Sequence, residues 1–236
     1  MFLTRHVPAA IVITAALTIP AIASVQLGAT RVIYHSDDKN VSLQVNNPGK
    51  DPVLLQSWID DGNAQLSPEQ INVPFVLTPP LTRVNGGEGQ TLRLAFVGTA
   101  LPADRESVYW LNVLEIPPVA GKNTNNIQVA FRSRIKIFYR PASLSDKSAQ
   151  EAPAQLRWNE QNNRITINNP TPFYVSILEI SAMQNGKPVS VPADMVAPKS
   201  TASFEIPQTL KLGPNTTVSV KTMNDFGAIV TQPIQP

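Results

Sequence analysis

The stretch Asn126-Ile-Gln-Val-Ala-Phe-Arg-Ser-Arg-Ile-Lys-Ile-Phe-Tyr-Arg140, closed by Pro141, decides the fold. Its residues alternate with a period of two, the mark of a β-strand. One face carries Ile127, Val129, Phe131, Ser133, Ile135, Ile137 and Tyr139; the other carries Gln128, Ala130, Arg132, Arg134, Lys136, Phe138 and Arg140. Such a strand reaches roughly 50 Å at about 3.3 Å per residue, against a usual length of about 5–6 residues. One small sandwich hardly pairs all of it. Part of the strand is therefore expected to present a bare edge carrying Ile127, Val129 and Phe131. Soluble proteins avoid such an edge unless they use it. Composition alone favours a plainer reading, in which these three side chains face their own core.

Outward from this strand, the pattern stays β. Pro accounts for 22 of 236 residues, and turn-forming clusters recur along the chain without any capped helical period. Strands are expected at Val25–Tyr34, Val41–Val45, Val53–Ile59, Phe75–Leu77, Thr91–Phe96 and Val108–Ile116. With the long strand these make an immunoglobulin-like set of seven. Residues 142–152 read as a polar, structureless linker. A second set follows at Leu156–Trp158, Arg164–Asn168, Phe173–Ser181, Ala202–Ile206, Val218–Met223 and Ala228–Gln232. The expected division is a 1–23 signal peptide, a 24–142 domain bearing the long strand, a 143–152 linker and a 153–236 domain. The main competitor is one larger sandwich.

The signal peptide is read from Arg5 and His6, the apolar run Val7–Ile19, and Ala21-Ile22-Ala23 with small residues at its two key positions. The run is short for a spanning helix and Pro20 interrupts it, which disfavours a membrane anchor. Removal of Arg5 brings the net charge from +2 to +1. A near-neutral chain argues against nucleic acid as a partner. No other run is long enough to span a membrane.

Much chemistry is excluded. Beyond residue 23 there is one histidine, His35, and the chain has no cysteine. Thiol catalysis and zinc sites built from His and Cys are ruled out. A Ser-His-Asp triad would need distant partners for His35, because the adjacent Ser36 and Asp37 cannot assemble one with it. Gly86-Gly87-Glu88-Gly89 lacks the Lys and helix of a phosphate loop. The expectation is a non-enzyme with no metal and no cofactor.

Several segments resemble the periplasmic chaperones of bacterial pilus assembly, the PapD-like family. They are Thr30-Arg-Val-Ile-Tyr34, Thr78-Pro-Pro80, Asp104-Arg-Glu-Ser-Val-Tyr-Trp-Leu-Asn-Val-Leu-Glu-Ile-Pro-Pro118, Arg134-Ile-Lys-Ile-Phe-Tyr-Arg-Pro141, Asn168-Asn-Pro-Thr-Pro-Phe-Tyr174 and Asn224-Asp-Phe-Gly227. The resemblance implies an all-β fold of two immunoglobulin-like sandwiches in an L shape around a cleft. It implies a periplasmic chaperone that lends its long strand to pilus subunits lacking their last strand and delivers them to an outer-membrane usher. By position, Ile127, Val129 and Phe131 are the donated side chains. Arg31 and Lys136 match the cations that hold the subunit's C-terminal carboxylate. Glu106, Arg140 and Asp225 match an interdomain charge network. Leu54, Gln56, Pro79, Pro80 and Ile116 fall where the first domain docks on the usher, the first of these in a less similar segment. The short loop Val119–Asn125 looks like that of the short-loop subgroup. A secreted immunoglobulin-like binding module or adhesin domain is the alternative. The bare edge would also let the free molecule self-associate.

Overall fold

The computed structural model describes residues 25–118, 129–184, 186–208, 210, 212–213 and 216–236 of the chain. The first half contains β1 (Gln26–Leu27), β2 (Arg31–His35), β3 (Val41–Asn46), β4 (Val53–Asp60), β5 (Phe75–Thr78), β6 (Leu81–Val84), β7 (Gly89–Phe96), β8 (Ser107–Ile116) and β9 (Phe131–Arg140). They form two sheets, ordered β1-β3-β7-β5 and β2-β9-β8-β4-β6. Alternating side chains of both sheets meet in one core that includes Tyr34, Leu43, Leu55, Leu92, Leu94, Leu111, Ile137 and Tyr139.

The second half follows a helix α1 (Asp146–Glu151) and a 3₁₀ turn (Ala152–Gln155). Its strands are β10 (Arg157–Gln161), β11 (Arg164–Asn169), β12 (Ile177–Gln184), β13 (Lys187–Pro192), β14 (Ser200–Glu205), β15 (Val218–Met223) and β16 (Ile229–Ile234). They stack as β10-β11-β14 against β13-β12-β15-β16. Their separate core is built on Leu156, Ile165, Ile167, Val175, Ile177, Val218 and Val220. Two cores make two sandwiches, as the strand pattern predicts.

Three expectations need correction. The run Val25–Tyr34 is not one strand. β1 pairs with β3 in one sheet, whereas β2 pairs with β9 in the other. The chain changes sheets at Gly28, where the backbone lies so close to Gln44 that an added Cβ would stand 3.1 Å from its carbonyl oxygen. The linker is not structureless: Ser145 caps α1 by accepting from the Ser148 N–H at 3.2 Å, with Asp146 in the first turn. Ala152, just beyond the helix, is fully buried in the second core. Finally, Phe173–Ser181 becomes continuous strand only from Ile177: Phe173 is held by Asn169 and Thr171, and Val175 makes an isolated antiparallel bridge with Val196. The short strands β6 and β13 were not foreseen.

The long strand is where sequence and structure meet most closely. Ladder pairing with β8 begins at Phe131, opposite Glu115, because β8 ends one residue later, just before Pro117-Pro118. From Lys136 to Arg140, β9 also pairs with β2, in parallel. Between Phe131 and Ile135 it pairs with β8, and among the described residues no strand pairs with the opposite edge. Ile137 and Tyr139 enter the core as the alternation requires, while Val129 and Phe131 are 53% and 55% exposed. Ile127, the third expected donor residue, lies outside the described residues, as do the short loop and the signal peptide.

Candidate partner-binding cleft

The parallel register of β2 and β9 sets Arg31 directly beside Lys136. Both lie on the face opposite the core, at the level where the β9 edge becomes bare. Arg31 is only 9% exposed. Its Nη1 donates to the Met223 carbonyl at 2.9 Å and to Ser176 Oγ at 3.5 Å, both in the second domain. The guanidinium also lies over the Phe138 ring at 5.8 Å. Its Nε is buried with no partner. Burial lowers the Arg31 pKa, with Asp225 pulling the other way. Lys136 is partly exposed and faces Asp194 of the second domain at 4.0 Å. Burial depresses it too, and the neighbouring Arg31 and Arg134 add to the depression. Two crowded, under-compensated cations on facing strands favour an incoming carboxylate.

The structure brings Glu106, Arg140 and Asp225 together, with Asp146 beside them. Arg140 is 1% exposed. It donates to Glu106 Oε1 at 2.8 Å and to Asp146 Oδ1 at 2.6 Å, and pairs with Asp225 Oδ2 at 2.9 Å. The other Glu106 oxygen accepts the Tyr174 N–H at 2.8 Å, and the Glu106 N–H donates to the Pro172 carbonyl. Burial pushes the Glu106 carboxyl up, with Arg140 opposing it. Asp225 is delivered by the Asn224–Ala228 turn. There Asn224 Oδ1 accepts the Phe226 and Ala228 N–H groups. Gly227 in that turn has φ +80°, and a Cβ on it would stand 2.5 Å from Thr30 Oγ1 of the first domain. The motif Asn224-Asp-Phe-Gly227 thus seats one domain on the other.

Two members of this network escaped the sequence reading. Asp146 stands six residues after Arg140, a spacing that carries no signal until the helix is known. His35, considered in the sequence only as a triad member lacking partners, places Nε2 2.8 Å from Asp146 Oδ1 and Nδ1 3.5 Å from Asp38. Its hydrogen bond to Asp146 raises its pKa despite partial desolvation. A further cluster on the outer face of the five-stranded sheet was also missed. Buried Asp60 takes Asn112 Nδ2 at 2.7 Å and Arg134 Nε at 3.2 Å. Arg134 stacks on Trp110 and Arg132 on Trp58, at 4.8 and 4.9 Å.

The residues expected at the usher are brought together in part. Leu54 and Ile116 are cross-strand partners, and Gln56 lies opposite Leu81 and Leu114. The Pro80 carbonyl accepts the Ser57 N–H at 2.8 Å, which places Pro79-Pro80 at the end of this edge. Leu81, 56% exposed, joins the patch unannounced. Among the described residues, no group of three or more His, Asp or Glu side chains could hold a metal ion, and no helix is long and apolar enough to cross a membrane.

Two immunoglobulin-like sandwiches clamped by buried charge, with a half-paired strand beside two cations, define a class of strand-presenting, two-domain binding proteins rather than an enzyme. Residues 24–145 match the N-terminal domain of PapD, the pili and flagellar-assembly chaperone, and residues 151–234 match the C-terminal domain of that pili assembly chaperone. The chain belongs to this family of non-enzymatic pilus assembly chaperones. It is 38% identical to the probable fimbrial chaperone YadV of Escherichia coli, over 97% of both chains. It is 40% identical to the chaperone protein FimB/FhaD of Bordetella pertussis, over 91% of this chain and 89% of that one. Among solved structures, the Pseudomonas aeruginosa CupB2 chaperone superposes with a TM-score of 0.74 at 38% identity, covering 88% of this chain and 98% of that one. A chain from the Salmonella enterica complex of SafA pilin with the SafB chaperone gives 0.72 at 29% identity, covering 89% of this chain and 94% of that one.

Proposed function

We propose that this protein is a periplasmic chaperone that captures pilus subunits by lending them the free edge of β9 and the residues just before it, and then presents them to an outer-membrane usher. The observation that carries this reading is the juxtaposition of that edge with Arg31 and Lys136. The edge offers backbone groups for strand addition. Ile127, Val129 and Phe131 offer the side chains to fill a groove, each contributing about 1.5–3 kcal/mol on burial. A C-terminal carboxylate bound at Arg31 and Lys136 adds roughly 1.5–3 kcal/mol per charge-assisted bond. Its larger task is register: a slip of one residue would turn every donated side chain away from the groove. From Lys136 to Phe131 the strand covers about 16 Å, a fixed offset between anchor and apolar row.

Glu106, Arg140, Asp146 and Asp225 hold the cleft angle in this reading, and Leu54, Gln56, Pro79, Pro80 and Ile116 form the usher-facing surface. The test is capture in the periplasm. Arg31→Ala and Lys136→Ala should yield folded protein that no longer co-purifies with co-expressed subunits. Undiminished co-purification by both variants sinks the anchor assignment.

A further inference from the structure

The cleft also contains a carboxylate of the protein's own. Lys136 is the β9 residue at which pairing with β2 begins. Among the described residues its one ion-pair partner is Asp194 of the second domain, at 4.0 Å. Arg31 and Arg134 stand closer to Lys136 along the sheet, but they repel it. Arg134 is itself held by Asp60, and Arg31 by Met223 and Ser176. Asp194 is therefore the group that offsets the Lys136 ammonium while the cleft is empty. Its side chain is 88% exposed, whereas that of Lys136 is 28% exposed. The loop that carries Asp194 is pinned on both sides. The Ala193 N–H donates to the Leu178 carbonyl at 3.3 Å, and Val196 exchanges two backbone hydrogen bonds with Val175, at 2.9 and 3.0 Å. Asp194 Oδ1 accepts the Met195 N–H at 2.6 Å. Ser176, which lies between those two attachment points, accepts from Arg31. One short segment, 175–178, thus fixes both the Arg31 contact and the place of Asp194.

We infer that Asp194 is an internal competitor for the anchor: its carboxylate holds Lys136 while the cleft is empty and gives way to the C-terminal carboxylate of a captured chain. This rests on the reading of Arg31 and Lys136 as that anchor, and it adds the residue that sets the anchor's strength. The exchange replaces one carboxylate by another at the same ammonium. Capture therefore breaks one ion pair to make the next, and Lys136 contributes less than an unpaired cation would. Once displaced, Asp194 still stands beside the new carboxylate and repels it. Both effects weaken binding. Because Asp194 is well solvated, their size is that of an exposed ion pair, about 2- to 5-fold in affinity. A chaperone that must later release its subunit is served by an anchor held below full strength.

The test sets two chaperones against each other for one cargo. Wild type and Asp194→Asn, carrying different affinity tags, are co-expressed with a limiting amount of a pilus subunit that the wild type captures, and the subunit recovered on each is measured. Asp194→Asn is expected to take about 2- to 5-fold more. Glu205→Gln removes another exposed second-domain carboxylate, one that pairs with Arg164 instead, and should share the subunit equally with wild type. Equal sharing by Asp194→Asn overturns the competition, and so does an equal gain in Glu205→Gln, which would assign the effect to net charge. The pair itself is read in the free, ¹³C-labelled protein through the Lys136 Cε–Hε signals. These should titrate at lower pH in Asp194→Asn than in wild type, and an unmoved titration overturns the contact. Failure of the anchor reading has its own signature. There Lys136→Ala captures as well as wild type, although the Lys136 titration still responds to Asp194. That result removes the anchor and the competition together, whereas equal sharing beside an inactive Lys136→Ala removes the competition alone.

Discussion

At the scale of single residues, the chemistry turns on charges taken out of water. Arg140 is surrounded by Glu106, Asp146 and Asp225, and removing it would leave Glu106 buried with only a backbone N–H. Losing one partner of a buried pair typically costs 3–5 kcal/mol. Arg140→Ala is therefore expected to lower stability by about that amount in chemical denaturation, far more than Arg164→Ala, whose partner Glu205 is exposed. His35 gives a pH signature. Its folded pKa is raised, first by the hydrogen bond to Asp146. Its contribution is therefore complete below the unfolded value, about 6.5, and is lost as pH rises through the higher folded value. Asp146, held low by His35 and Arg140, stays ionised across that window. The Tm gap between wild type and His35→Gln should be widest near pH 5.5 and narrow by pH 8. A gap that is constant over that range would remove His35 from the charge network around Arg140.

At the scale of elements, β9 does two jobs with one alternation. Ile137 and Tyr139 fill the core, whereas Phe131, at the first β8 pair, and Val129 before it, though in phase with them, are more than half exposed. Phe131→Asp should then leave the melting temperature within about 1 °C of wild type while abolishing subunit capture, because surface substitutions away from packed contacts change stability little. A large loss of stability would mean that Phe131 serves its own domain. This division was readable in the sequence because a period of two and an excess of length are both local properties. The helix α1 was not readable. Six residues are too few to show a helical period, and its stability comes from the Ser145 cap and the contacts of Ala149 and Ala152 with the second core. Ser145→Ala is expected to cost about 0.5–2 kcal/mol. Arg31, Lys136, Glu106, Arg140 and Asp225 were legible only through segments resembling a family, since no spacing rule brings residue 31 beside 136. His35 and Asp146 lay outside those segments.

At the scale of the whole molecule, the cleft is only as well defined as the joint between the two sandwiches. That joint is small and specific: Arg31 reaching Met223 and Ser176, Glu106 bonded to Pro172 and Tyr174, and the Asn224–Ala228 turn pressed on Thr30. Gly227 is the position where the joint tolerates least. Its φ of +80° disfavours any side chain, and even a methyl group would meet Thr30 at 2.5 Å. Neither domain core includes Gly227, so Gly227→Ala should act on the joint and spare both sandwiches. Calorimetry should resolve two transitions in the variant where the wild type gives one, because each core retains its own packing while the coupling falls. Capture of subunits should drop although Arg31, Lys136 and the β9 edge are unaltered, because anchor and groove contacts must be met together at one angle. The double variant Gly227→Ala with Thr30→Gly removes the colliding atoms and should recover part of both losses. If Gly227→Ala captures subunits as well as wild type and melts in a single transition, the relative placement of the two domains is not what makes the cleft competent.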